Sequence, residues 1–161
     1  MVTIENYING KKISFSNNYL DVFNPSTGEI ISKVVISNLE DFQSVIDSSK
    51  KIQNEWLNTT PLKRSRIISN YKNLLESNLD ELAALVSKEH GKTFDDAKGS
   101  VTRGIEVVEF ACGIPHLLKG EFSQNVGTQI DSWSARQPLG ICAGITPFNF
   151  PAMVPMWMYP I

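Results

Sequence analysis

Over the first 36 residues apolar positions alternate with polar ones, and turn-forming residues break the alternation twice. Tyr7-Ile8 and Lys12-Ile13-Ser14-Phe15 flank Asn9-Gly10, two residues that tolerate positive φ, so the spacing predicts a two-residue β-hairpin. Tyr19 to Phe23 and Glu29 to Val35 flank Asn24-Pro25-Ser26-Thr27-Gly28. There Pro25 fixes φ, Asn24 can cap the turn and Gly28 supplies a left-handed exit, which predicts a second hairpin.

Beyond Asn38 the period changes to three and four, and four helices are predicted. The first takes Asn38 as N-cap, carries Glu40 and Asp41 in its first turn and aligns Phe42, Val45, Ile46, Ile52 and Trp56. The second opens on Thr60 and Pro61, with Ile67, Ile68, Tyr71, Leu74 and Leu75 recurring and Lys63, Arg64, Arg66 and Lys72 opposite as a solvated face. The third follows a capping-box-like Asn78-x-x-Glu81 and stops at Gly91. The fourth starts at Thr93, with Phe94, Ala97, Val101, Ile105, Val108 and Cys112 on one stripe, so Cys112 reads as core.

After Pro115 and Gly120 the character changes again. Residues 125–136 alternate and predict one extended, partly exposed strand, and Pro138-Leu139-Gly140 then breaks the chain. Ile141-Cys142-Ala143-Gly144-Ile145 has no polar face, which predicts a strand buried on both sides, as in a parallel sheet, with Cys142 packed inside it. Thr146-Pro147-Phe148-Asn149-Phe150-Pro151 then forms a proline-held turn into a new helix. The fold class is α/β but incomplete, since one central-type strand makes no sheet. The helical stripes and the tail Met153 to Ile161 are therefore expected to lack a surface to cover, leaving an aggregation-prone apolar patch.

Composition narrows the class of function. The 161 residues are 42% hydrophobic and 20% charged with a net charge of −2, an ordinary globular balance with no basic footprint for nucleic acid. The longest apolar run, Phe150 to Ile161, is short of the roughly 20 residues that span a bilayer and contains three prolines, so no membrane role is expected. MVTIENYING has neither a secretory nor a transit signature, which points to the cytoplasm. Cys112 and Cys142 lie far apart without metal spacing and read as reduced, buried thiols, and His90 and His116 as surface or satisfied core histidines. Gly91-Lys92-Thr93 fails the phosphate-loop spacing because Val86 stands where the first glycine belongs. Gly140-x-x-x-Gly144 is not a dinucleotide fingerprint, and Asn58-Thr59-Thr60 is an idle sequon without a secretory signal.

Two residues remain. Arg103, in the weakly charged middle of the fourth helix beside Gly104, either bridges to Glu106 or reaches a carboxylate bidentately. Asn149 follows a strand end, where ligands of open α/β sheets bind. Its side chain either stabilises the turn or donates to an oxygen that gains negative charge.

Asn24 to Glu29, Glu89-His-Gly-Lys-Thr93 and above all Pro138-Leu-Gly-Ile-Cys-Ala-Gly-Ile-Thr-Pro-Phe-Asn-Phe-Pro151 resemble the NAD(P)-dependent aldehyde dehydrogenase superfamily, collinear with its N-terminal third. Arg103 to Phe110 and Pro147 to Pro160 are most similar to its CoA-acylating methylmalonate-semialdehyde branch. The resemblance implies a cysteine thiolate attacking an aldehyde, hydride passing to NAD and the acyl group leaving on coenzyme A with loss of carbon dioxide. Asn149 would then be the oxyanion-hole asparagine, Thr146 and Phe148 would line the NAD site, and Arg103 would hold the substrate carboxylate. It also implies a homotetrameric parent enzyme acting on a small-molecule aldehyde.

The resemblance divides the chain into 1–119, part of the cofactor-binding domain; 120–137, a strand segment like the family's oligomerisation arm; and 138–161, the first Rossmann-like strand and the start of its helix. The family's nucleophilic cysteine and general-base glutamate fall beyond position 161, so a truncated chain, inactive alone, is expected. A non-acylating aldehyde dehydrogenase, or a non-catalytic piece docking through the strand near Gln129 to Arg136, are the alternatives.

Overall fold

Local turn chemistry sets the N-terminal strands in this computed structural model, which describes residues 2–161. Strands β1 (Val2–Ile4), β2 (Asn6–Ile8), β3 (Lys11–Ile13), β4 (Tyr19–Phe23) and β5 (Ile30–Val35) come first. Asn9 and Gly10, at φ 51° and 74°, close the β2–β3 hairpin, with Asn6 opposite Ile13 and Ile8 opposite Lys11. The β4–β5 hairpin is tied by Gly28 N–H donating to the Asn24 carbonyl and Asn24 N–H to the Glu29 carbonyl, both at 2.8 Å. Strand β5 also pairs in parallel with β1, a register that no local pattern announces, giving a three-stranded sheet in the order β1-β5-β4.

Helices α1 (Leu39–Asn58), α2 (Pro61–Ser77), α3 (Leu79–His90) and α4 (Phe94–Cys112) start where their caps place them. Asn38 and Asp41 form a reciprocal capping box, and Thr60 and Thr93 accept from the amides of Lys63 and Asp96. Asn78 does not cap α3 through its side chain: its amide instead donates to the Leu74 carbonyl at 2.7 Å, closing the end of α2. Gly91, at φ 83°, ends α3 in the left-handed region.

The core lies where α2 and α3 pack on α4. Leu75, Ala83, Val86, Ala97, Val101, Ile105 and Val108 are buried together, with Ile68, Tyr71, Leu79 and Leu82 against them. Fully buried side chains such as Val101 and Val108 each contribute about 1.5–3 kcal/mol. Helix α1 stands outside this core, and its stripe stays open, with Phe42 61% exposed. An 18.0 kDa chain exposes 11821 Å². A close-packed monomer of that mass would expose about 8,000 Å², so the expectation of uncovered apolar faces holds for α1.

Past a short helix α5 (Ile114–Leu117), residues 122–133 form a hairpin of β6 (Phe122–Gly127) and β7 (Ile130–Trp133), not the single strand predicted. Gln129, at positive φ, turns the chain back between the paired Gly127 and Ile130, and Asn125, also at positive φ, lies where the β6–β7 register shifts, all within what reads as one alternation. Ile141 to Ile145 forms no strand, and Ile145 and Cys142 are exposed, contrary to the expectation that both are packed. A strand needs partners for its amides and carbonyls, and none of the described residues supplies one here. Helix α6 (Met153–Met158) does find a surface, against expectation: Met153 and Met156 are buried on α4. The Tyr159 phenol sits beside Tyr71 of α2, where desolvation first, and Tyr71 second, push its pKa up to about 12.

Candidate functional site

Three separate stretches meet at Phe150, the residue after the Phe148-Asn149 turn. The turn leads into α6, and the Phe150 carbonyl accepts the Val154 amide at 3.2 Å, fixing Phe150 at the foot of that helix. Helix α6 can lie close to α4 because Gly104 has no side chain. A β-carbon there would stand 2.8 Å from the Met156 sulfur and 3.2 Å from the Met153 Cα. This close approach sets the half-buried Phe150 ring next to the residue before Gly104, and the Arg103 guanidinium carbon lies 5.9 Å from the ring centre.

A second cation reaches the same ring. Lys92 follows the left-handed turn at Gly91, and its ammonium nitrogen lies 4.4 Å from the Phe150 centroid. The side chain is only 10% exposed and is held by Asp96 Oδ2 at 3.0 Å and Ser100 Oγ at 3.4 Å. Its backbone is anchored too, since the Lys92 carbonyl accepts from the Ser87 hydroxyl at 2.7 Å. Sequence reasoning set Lys92 aside with the failed phosphate motif. Nothing local announces its meeting with Phe150, 58 positions away.

Of the residues singled out from sequence, Arg103 is thus brought against Phe150, the residue that follows Asn149. Among the described residues Arg103 makes no ion pair with Glu106 or any other acid, and the Asn149 side chain bonds to no protein group, which leaves its amide free to donate. Thr146 and Phe148 lie on the same exposed segment, Phe148 with 91% of its surface open. They offer one hydroxyl and one apolar face. Two clefts lie elsewhere. One of about 590 Å³ sits between the β2–β3 hairpin and α1, lined by Ile8, Phe15 and Asp47 among others. One of about 250 Å³ sits beside Asp80, Glu81 and Lys98.

Neither thiol has an activating base. Cys112 donates to the Val108 carbonyl within α4 and is half-buried, short of the full burial its stripe suggested, and exposed Cys142 contacts the Gly140 carbonyl at 3.8 Å. The Nδ1 atom of His90 is buried without a partner, so that histidine is not the satisfied one expected. No three His, Cys, Asp or Glu side chains gather as metal ligands among the described residues, and no described helix is long and apolar enough to cross a membrane.

Residues 13–161 match the aldehyde dehydrogenase family model. The whole chain is 51% identical to a malonate-semialdehyde dehydrogenase of Pseudomonas aeruginosa, of which it covers 32%. Over 99% of its length it is 41% identical to the human acylating, mitochondrial methylmalonate-semialdehyde/malonate-semialdehyde dehydrogenase, covering 30% of that protein. A solved structure from Sinorhizobium meliloti 1021, assigned as a methylmalonate-semialdehyde dehydrogenase and complexed with NAD, superposes with a TM-score of 0.95 at 46% identity. That superposition takes in 99% of this chain and 33% of the other. The methylmalonate-semialdehyde dehydrogenase of Oceanimonas doudoroffii gives the same TM-score of 0.95 at 49% identity. The chain spans about a third of the length of the relatives it matches.

Proposed function

The chain belongs to the aldehyde dehydrogenase family, and on that premise we propose that it supplies the N-terminal third of an NAD-dependent, CoA-acylating methylmalonate/malonate-semialdehyde dehydrogenase. The observation that supports the reading is the approach of Arg103 to the ring of Phe150, the residue bonded to Asn149. A semialdehyde with one carbon between its carbonyl and its carboxylate needs a donor for a developing oxyanion and a cation for the carboxylate close together. The Asn149 amide is suited to the first and the Arg103 guanidinium to the second. Names among the relatives support the substrate class.

NAD, where bound, would supply the hydride acceptor. Thr146 and Phe148 alone do not enclose a nucleotide, and the share of these residues in its site is limited to one edge. The overall reaction converts semialdehyde, coenzyme A and NAD+ to acyl-CoA, carbon dioxide and NADH. Within it these residues orient the substrate carboxylate and stabilise charge on the carbonyl oxygen. They offer no activated nucleophile, so the 161 residues alone turn over no aldehyde. The surface in excess of a close-packed monomer, including the α1 stripe and the exposed β6–β7 hairpin, is covered in the whole enzyme by the rest of the subunit and by further copies.

The test joins residues 1–161 to the remainder of the Pseudomonas aeruginosa relative and follows NADH formation with malonate semialdehyde and coenzyme A. Activity of the joined polypeptide, with none from the 161 residues alone, is the expected result. An inactive but folded joined polypeptide, or turnover by the 161 residues alone, contradicts the reading.

A further inference from the structure

We propose that Lys92 is a positioning residue for Asn149, acting through the Phe150 ring; this rests on the reading of Asn149 as an oxyanion donor. Phe150 is bonded directly to Asn149 in sequence, so whatever holds its ring restrains the backbone from which the Asn149 amide projects. The ring has two cations within the roughly 6 Å at which the ring quadrupole attracts positive charge. Lys92 is the closer, and the two differ in how they are held. Arg103 is exposed and has no ion pair among the described residues, leaving it able to swing towards a carboxylate. Lys92 is nearly buried, clamped by Asp96 and Ser100 and rooted at the rigid Gly91 stop of α3. Ser100 is itself buried and donates to the Asp96 carbonyl, so the clamp is built into the first turns of α4.

That division matters for a turn that lacks side-chain hydrogen bonds among the described residues. The segment before it, Ile141 to Pro147, forms no regular structure, and Asn149 bonds to no protein group among the described residues. Among the described residues the turn is held from its C-terminal side by α6 on α4 and by the ring of Phe150, while Gly144 before it lies against Met158. Lys92 therefore links the end of α3 to the turn. Arg103 shares the ring but stays free for the substrate.

Two measurements test this, one of them independent of activity. In NMR spectra of the 161-residue chain, the ε-protons of Lys92 should be shifted upfield by the aromatic ring, and Phe150→Leu should abolish the shift. Lys92→Met, which keeps the apolar stem, should move and broaden the Asn149 backbone and side-chain amide signals. Lys92→Arg should restore them, and Asp96→Asn, which releases one arm of the clamp, should move them in the same direction by less than Lys92→Met does. Lys92 ε-protons at unstructured positions, Asn149 signals unmoved by Lys92→Met, or a failure of Lys92→Arg to restore them would each overturn the proposal.

In the joined polypeptide, Lys92→Met should lower kcat roughly fivefold to thirtyfold, the range a desolvated cation–π contact supports, with KM for the semialdehyde unchanged and Lys92→Arg recovering it. An unchanged kcat, or a rise in KM alone, would overturn it. An inactive unsubstituted joined polypeptide would instead strike the functional reading, and the NMR result would still decide the role of Lys92.

Discussion

Gly104 of α4 lies directly beneath Met156 of α6, so close that a β-carbon at 104 would meet the Met156 sulfur at 2.8 Å and the Met156 Cβ at 3.3 Å. Part of that contact is flexible side chain, but the Met153 Cα at 3.2 Å is backbone and cannot turn aside. Gly104→Val should therefore lift α6 from α4, with an overpacking cost of about 1–3 kcal/mol. Amide hydrogen exchange of residues 153–158 checks it: their protection should fall while that of α4 holds. Unchanged protection would mean that α6 docks by some other contact.

Asp41 joins the β-hairpin region to α1 and sets an acid limit on both. Its carboxylate, 1% exposed, accepts from the amides of Asn38 at 3.0 Å and Phe15 at 2.8 Å. The Asn38 N–H first and the Phe15 N–H next hold its pKa below the usual 3.8, outweighing the upward push of burial, with smaller help from Asn6 and Ser16. A depressed folded pKa stabilises above 3.8, and that contribution is lost as pH falls below it towards the folded value. Urea unfolding against pH should show wild-type stability falling in that acid range, and Asp41→Asn should be less stable at neutral pH but lose less on acidification. Parallel pH profiles would contradict this.

Asn149→Ala in the joined polypeptide should lower kcat by about 10²–10³, the cost of one lost oxyanion donor, with little change in KM. Steady-state kinetics separate this from a turn-stabilising role, for which the main loss would be protein stability with near-normal kcat per folded subunit.

Arg103→Ala should raise KM for malonate semialdehyde and leave KM for propanal, which lacks the carboxylate, unchanged. Lysine at 103 should recover only part, because it cannot bind a carboxylate bidentately. Equal effects on both aldehydes would remove Arg103 from carboxylate recognition.

What was legible in the sequence is what short-range chemistry decides. Asn9-Gly10, Asn24 to Gly28, the caps at Asn38, Thr60 and Thr93, and the Gly91 stop each act within a few residues, and the structure places them as read. Asn78 was misread because two helices meet there, and its amide serves the one before. Residues 141–145 have the apolar pattern of a central strand, but pattern does not provide neighbouring strands. The stripe of α1 is uncovered, as expected of helices whose sheet is unbuilt, whereas those of α2, α3 and α4 bury one another, contrary to that expectation. At the site, Asn149 and Arg103 stood out by motif and by resemblance. Lys92 did not, because its partner ring reaches it only through the α4–α6 contact at Gly104.

The amounts of acetyl-CoA and NADH formed by the joined polypeptide from malonate semialdehyde, NAD+ and coenzyme A decide whether this chain belongs to an acylating enzyme. Equal amounts of the two, with formation dependent on coenzyme A, are expected. NADH formed at the same rate without coenzyme A, with a free carboxylic acid as product, would show a non-acylating enzyme and contradict the functional assignment.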